Sequence, residues 1–306
     1  MRRAVAIVSG GGRGIGRAAA LALASEGHPV CVNDTGVDLD GSDPSPESAQ
    51  AVVDEIRASG GEATASVTDA RTPAGAGRVV GQVEDWAGKV PTILVHAAGT
   101  LRDAMVHRAS DDDWSEVLGS HLGVAIELTR ALAPAIREGG FGRIVYLGGA
   151  AGLVGSVGQA SYAVAKAGLF GLTRAVALEM AGRDVCVNYL VPFAFTRMTE
   201  SIPPVTPALR DYLATAPLAT PADIAPFIAW LCSAEAAGVT GQILAARGAE
   251  IAVWSQPRPL RVLVESAGWD RAALARTGRP RLEQHLCPLE SEFELLGTPP
   301  VAVARA

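Results

Sequence analysis

The sequence predicts an α/β fold built on a doubly wound parallel sheet. Three observations carry that expectation. Short apolar strands alternate with helix-length segments through most of the chain, a glycine-rich turn joins the first strand to the first helix, and an acidic residue ends the second strand. Strands separated by helices cannot pair as hairpins. Each crosses over to a parallel neighbour, and right-handed crossovers lay helices on both faces of the sheet.

The elements follow in order. Residues 4–8 form a short run rich in β-branched and small apolar side chains, which reads as a buried strand, and residues 9–12 break it. Residues 14–26 are rich in Ala and Leu and read as a helix, stopped by Gly27, His28 and Pro29. A strand over 30–32 ends at Asn33 and Asp34, and a Gly-, Asp-, Ser- and Pro-rich loop covers 35–46. Helices are expected over 47–58, 74–86, 111–137 and 161–180, and strands over 63–67, 92–96, 143–147 and 185–191. Asp111, Asp112 and Asp113 precede Trp114 and fit a helix N-terminus, where negative charge complements the dipole. Beyond Pro192 the pattern loosens into short proline-punctuated helices, and a last core strand fits 243–246. The division expected is one domain over 1–250 and an extension over 251–306, packed on the core or on a partner subunit. In the extension a strand pair is expected over 251–254 and 260–264, and a short helix over 271–274.

Composition narrows the function. Apolar residues make up 49% of the 306 and charged residues 19%, a mixture able to bury a core. Net charge is -6 with no basic tract, which argues against a phosphate-tracking nucleic-acid surface. No apolar run is long enough to span a bilayer and no signal-peptide pattern is visible, so a cytoplasmic protein is expected. Cys31, Cys186, Cys232 and Cys287 lack metal-ligand spacing, and three of them sit in apolar stretches, as reduced core thiols do. His28 reads as a surface or cap residue, His107 and His285 have no visible partners, and no metal site is expected.

The turn carrying Gly10, Gly11, Gly12, Arg13, Gly14, Ile15 and Gly16 is the strongest functional signal. Glycines there allow a tight turn and close backbone approach to a diphosphate, and the helix N-terminus supplies free N–H groups and partial positive charge. Asp34 stands where a carboxylate accepts hydrogen bonds from adenosine ribose hydroxyls and repels a ribose phosphate, which favours NAD over NADP. Arg13 and Arg17 pull weakly toward NADP, because either could meet a phosphate.

The glycine spacing, together with Tyr162 and Lys166 at the start of a long helix, resembles the short-chain dehydrogenase/reductase family, whose fold is the Rossmann fold. Asp69, the pair Ala98 and Gly99, and the stretch from Asn188 to Pro192 extend the resemblance over about residues 4 to 250. It implies a dinucleotide held by Gly10, Gly12, Arg13, Gly14, Ile15 and Gly16, by Asp34, by Asp69 and Ala70, by Ala98 and Gly99, by Tyr162 and Lys166, and by Pro192, Phe193 and Thr196. It also implies Tyr162 as proton carrier, with Lys166 four residues on sharing its helical face and favouring the tyrosinate. Residues 32–36, 99–103, 158–162 and 197–199 look like the (3R)-hydroxyacyl-CoA dehydrogenase unit of multifunctional enzyme type 2, which implies an acyl-CoA-type substrate. The family further implies a homodimer or homotetramer, and a substrate lid over 202–219.

The chain departs from the family at specific places. The serine expected thirteen residues before the tyrosine is Gly149. Such a donor is commonly worth about 2–4 kcal/mol of transition-state stabilisation. His96 and Ala97 replace two asparagines, and Phe193 replaces the glycine after Pro192. The asparagine that carries a proton-relay water in the family falls at His121, read here as a proton relay or a hydrogen-bonded structural side chain. Three readings stay open on sequence. One is a working NAD-dependent dehydrogenase that holds the substrate oxygen with Ser156, Gln159 or the backbone N–H of Gly148 or Gly149. The second is a catalytically silent nucleotide-binding subunit of a hetero-oligomer. The third is a non-redox cyclase, aldolase or dehydratase using Tyr162 as acid or base.

Overall fold

The computed structural model describes residues 3–266, 268–295 and 298–304. Eight strands form one sheet: β1 (Ala6–Ser9), β2 (Val30–Asn33), β3 (Ala63–Ser66), β4 (Ile93–His96), β5 (Phe141–Leu147), β6 (Asp184–Phe193), β7 (Ile243–Arg247) and β8 (Glu250–Val253). Their order is β3-β2-β1-β4-β5-β6-β7-β8, with every pair parallel except β7 and β8. The strand order reverses between β1 and β4, so a crevice opens at the carboxyl ends of those strands.

The helices are α1 (Gly14–Ser25), α2 (Glu47–Ala58), α3 (Pro73–Ala87), α4 (Asp111–Leu118), α5 (Val124–Gly139), α6 (Ala151–Val154), α7 (Ala160–Glu179), α8 (Arg197–Glu200), α9 (Pro207–Thr215) and α10 (Pro221–Cys232). Three short ones follow in the C-terminal segment: α11 (Arg271–Ala273), α12 (Arg279–Glu283) and α13 (Glu292–Leu295). Two apolar clusters flank the sheet. Leu23, Val52, Ile56, Ile224 and Ile228 bring α1, α2 and α10 onto one face, while Val79, Leu128, Leu132 and Leu169 bring α3, α5 and α7 onto the other. The central strands are buried on both faces, which explains their largely apolar sequence.

Several expectations need correction. The helices expected over 111–137 are α4 and α5, and the sequence did not disclose the π-turn at Gly119–Gly123 that joins them and holds His121 at its centre. The N-terminus of α4 is closed by a capping box between Ser110 and Asp113. The tail forms β8, but residues 260–264 are not a strand: Leu260, Val262 and Val264 are exposed and have no ladder to join. His28 is buried, and its Nδ1 lies 2.8 Å from the Ala4 carbonyl, so it ties the first loop to the sheet rather than facing water. Among the described residues no helix is long and apolar enough to cross a membrane, and no His, Cys, Asp and Glu grouping could hold a metal ion.

Candidate active site

The strand ends and helix starts converge on one cleft of about 520 Å³. Its floor is the turn between β1 and α1. Gly10 adopts φ +73°, and a Cβ there would sit 2.4 Å from the Ala98 backbone nitrogen, so only glycine fits. At Gly16 a Cβ would meet the Gly10 carbonyl oxygen at 2.0 Å, which fixes how closely α1 packs on the turn. No side chain caps α1, so its first N–H groups remain directed into the cleft past Gly12, Arg13, Gly14 and Ile15. Thr196 faces this turn: its Cγ2 lies 3.7 Å from the position a Gly14 Cβ would take.

Asp34 is held by the turn itself. Its Oδ2 accepts from the Gly12 N–H at 2.8 Å and its Oδ1 from the Gly36 N–H at 2.7 Å. Each oxygen keeps a second lone pair for a ligand hydroxyl. Both nearby arginines line the cleft and have partners within the chain. Arg13 donates to the Val37 and Gly36 carbonyls and lies 4.0 Å from Asp38, while Arg17 pairs with Glu55. Asp69 and Ala70 line the far end, where both Asp69 oxygens accept from Arg71 and Arg71 also pairs with Glu116. Ala98, Gly99 and Pro192 form the opposite wall. The side chain of Phe193 does not: it is buried in the core cluster among β5, β6 and α7, so the expected contact with a nicotinamide ring is corrected to a packing role.

Tyr162 and Lys166 enter from α7. The Lys166 ammonium donates to the Leu147 carbonyl at 2.7 Å and stands 5.3 Å from the Tyr162 ring centroid. Burial pulls the Lys166 amine down to about 7. Burial first, and then Glu292, Tyr189, Asp103 and Tyr212, push the Tyr162 phenol up. In the protein without ligand, Tyr162 is therefore held neutral as a proton donor. The sign for stability follows. The folded lysine titrates below its unfolded value, so its desolvation penalty is complete below pH about 7 and is relieved as pH rises toward 10.5. Lys166→Met is expected to stabilise the protein relative to wild type at about pH 6, by a margin that shrinks by on the order of 2 kcal/mol at about pH 9.5. Urea denaturation at the two pH values checks this; a margin that grows with pH contradicts it.

His121 is brought edge-on to Tyr162, with ring centroids 5.2 Å apart. Its Nε2 lies 2.9 Å from the Thr100 carbonyl, which only accepts, so the proton is on Nε2 and Nδ1 is a bare acceptor. The ring covers Gly99, where a Cβ would come within 1.8 Å of Cε1. Burial, and then the Lys166 charge, hold His121 well below its ordinary range. His96 behaves alike: burial brings it to about 3, and its Nε2–H donates at 2.6 Å to the His121 carbonyl in the π-turn. Both imidazoles are neutral near pH 7, and this suits orientation better than proton storage.

Gly149 points into the reacting zone. A Cβ there would stand 3.1 Å from the Tyr162 hydroxyl. Its backbone is already engaged, since the Gly149 N–H donates to the Tyr189 hydroxyl at 2.9 Å and that hydroxyl donates back to the Gly149 carbonyl at 2.8 Å. The Gly148 N–H donates to the Leu190 carbonyl. Neither backbone N–H is therefore free for a substrate oxygen, which corrects that expectation. Gln159 spends its amide on Asp103 at 3.0 Å. Tyr189 escaped the sequence reading. The signal that could have found it is the glycine pair, because the Tyr189 ring occupies the place a Gly148 Cβ would fill, 2.1 Å from Cζ.

Comparison with known proteins decides the family. The family model described as enoyl-(acyl carrier protein) reductase matches residues 10–248. The chain belongs to the short-chain dehydrogenase/reductase family. It is 36% identical to the hydroxyacyl-CoA dehydrogenase ChsB1 of Mycobacterium tuberculosis, over 90% of this chain and 87% of that one. It is 40% identical to the peroxisomal multifunctional enzyme type 2 of Drosophila melanogaster, over 74% of this chain but only 36% of that longer protein. A crystal structure of a short chain dehydrogenase from Mycobacterium avium superposes with a TM-score of 0.80 at 37% identity, covering 94% of this chain and 97% of that one. As a family member the chain is an oxidoreductase that uses a nicotinamide dinucleotide and a small-molecule substrate. The uncapped α1 and the glycine-only approach at Gly10 fit that group.

Proposed function

We propose that the protein is an NAD-dependent dehydrogenase interconverting a hydroxyl and a ketone on a 3-hydroxyacyl-CoA or a similar thioester. The observation that carries this reading is the placement of the Tyr162 hydroxyl and the Lys166 ammonium in the cleft floored by the glycine turn. The names of the relatives supply the thioester. The preference for NAD over NADP is supported by Asp34, anchored at both oxygens, and by the engagement of Arg13 and Arg17.

When bound, the nicotinamide ring supplies the acceptor or donor for hydride at the substrate carbon. The chain's own groups manage the oxygen. In the reducing direction the Tyr162 hydroxyl gives its proton to the developing alkoxide, and in the oxidising direction the tyrosinate takes it back. The Lys166 charge, beside the Tyr162 ring, stabilises that tyrosinate, and the bond to the Leu147 carbonyl keeps it in place. Neutral His121 packs edge-on to Tyr162 and fixes the phenol's orientation. Gly149 leaves the substrate oxygen with the Tyr162 donor and without the family's second hydroxyl, so a slow enzyme is expected. The three buried, unpaired thiols of Cys31, Cys186 and Cys232 suit a reducing, cytoplasmic setting. The exposed Val164 and Leu178 of α7 support a homodimer or homotetramer through that helix.

Initial rates with NADH and NADPH against a panel of 3-oxoacyl-CoA thioesters test the reading. Turnover with at least about tenfold preference for NADH is expected. Tight nucleotide binding without turnover points instead to a silent subunit, and product formed with no change in nicotinamide absorbance points to non-redox chemistry.

A further inference from the structure

The C-terminal segment returns to the site. Residues 298–301 are tied to the end of β7, where Arg247 donates to the Thr298 carbonyl at 2.7 Å and the Ala249 N–H donates to the Val301 carbonyl at 2.9 Å. This anchoring brings α13 down between two walls of the substrate end. On one side Phe293 packs edge-on against Tyr212 of α9, with centroids 5.2 Å apart. On the other, Glu292 Oε2 accepts from the Ala151 N–H at 2.9 Å, and the Glu292 N–H approaches the Gly155 carbonyl at 3.4 Å. Ala151 is two residues past Gly149, on the turn where a Gly149 Cβ would stand 3.1 Å from the Tyr162 hydroxyl.

We propose that Glu292 is a positioning residue of the active site, bracing the turn over 149–155 against α9 and so setting the wall opposite Tyr162 where the family's serine is missing. This rests on the dehydrogenase reading above. Free energy favours such a brace here. Gly155 ends the turn at φ +93°, and the Ala151 N–H at the start of α6 has no intrahelical partner. A carboxylate is the strongest acceptor available to a backbone N–H.

The brace is also electrostatic. The groups facing Glu292 are Ser156 and the Ala151 N–H of the turn, Asp103 after β4, Tyr162 of α7, Tyr189 of β6 and Tyr212 of α9, with Arg247 of β7 acting on Tyr212. Burial raises the Glu292 carboxyl to about 7; Asp103 adds to this, and Ala151 and Ser156 oppose it. An ionised Glu292 disfavours the tyrosinate at Tyr162, so the tail restrains the proton carrier as well as the wall beside it.

Glu292→Gln keeps an oxygen for the Ala151 N–H and removes the charge; Glu292→Ala removes both. By amide hydrogen exchange, Ala151 is expected to stay slow in wild type and E292Q and to speed at least about tenfold in E292A. With NADH and a thioester, E292A is expected to lose about ten- to a hundredfold in kcat/KM, mostly in KM, with nucleotide affinity unchanged. E292Q is expected to keep kcat/KM within about threefold of wild type, with the rising limb of its oxidative pH profile moved down by about half a unit to one unit. Equal losses in both variants with an unmoved pH limb, or unchanged exchange and kinetics in E292A, overturn the proposal. A wild-type protein that turns over no thioester counts against the dehydrogenase reading alone, because the exchange measurement still decides whether Glu292 braces the turn.

Discussion

Tyr162→Phe is expected to lower kcat by about a hundred- to ten-thousandfold while weakening nucleotide binding by less than about tenfold, the loss of one hydrogen bond. The variant deletes one oxygen from a half-buried ring that packs against His121 and Lys166 through its carbon face and edge. Packing and the nucleotide floor survive, so the loss isolates proton transfer. Steady-state rates read the loss, and fluorescence titration with NADH reads the affinity. A phenylalanine variant with near-wild-type kcat would mean that another group serves the substrate oxygen. Among the described residues, the titratable side chains that act on the ring are His121, Lys166, the phenols of Tyr189 and Tyr212 and the carboxyls of Asp103 and Glu292.

The second large effect runs the other way. Gly149→Ser is expected to raise kcat/KM by about ten- to a hundredfold. The new Cβ would lie 3.1 Å from the Tyr162 hydroxyl and 3.5 Å from Lys166 Cγ, a tight fit that the tip of the phenol can relieve by a few tenths of an ångström. Its hydroxyl would then stand beside the phenol and supply a second donor to the substrate oxygen. The backbone of residue 149 need not change, since its N–H and carbonyl remain bound to Tyr189. Kinetics with the best thioester check the expectation. A fall in kcat/KM would show instead that the substrate already occupies the space the missing side chain leaves, and that Gly149 is a specificity feature.

What the sequence disclosed and what it hid divide along physical lines. The glycine turn, Asp34, Tyr162 and Lys166 were legible because their chemistry is local: a tight strand-to-helix turn, a strand end and an i, i+4 pair each leave a short pattern. These residues line one cleft, as do Asp69, Ala98, Gly99, His121, Pro192 and Thr196. Phe193 was misjudged because alternation along β6 decides which side of the sheet a side chain enters, and it turns this one into the core. The use of the Gly149 N–H was illegible because its partner, Tyr189, lies forty residues away on the neighbouring strand. Glu292 was hidden for the same reason at greater range: nothing in a Pro-rich tail announces that one carboxyl will reach a turn 141 residues earlier. The strand expected over 260–264 failed because an apolar alternation makes a strand only where a neighbour offers a free edge.

The central claim is that Tyr162 protonates a substrate oxygen while hydride passes between that substrate and the nicotinamide. It is tested most directly by mixing the protein with NADH deuterated on the transferred position and a 3-oxoacyl-CoA, and weighing the acyl product by mass spectrometry. The account predicts a 3-hydroxyacyl-CoA that carries one deuterium on C3, with one NAD formed for each product molecule. A product without deuterium, or an unchanged thioester beside fully reduced nucleotide across the whole panel, would contradict it.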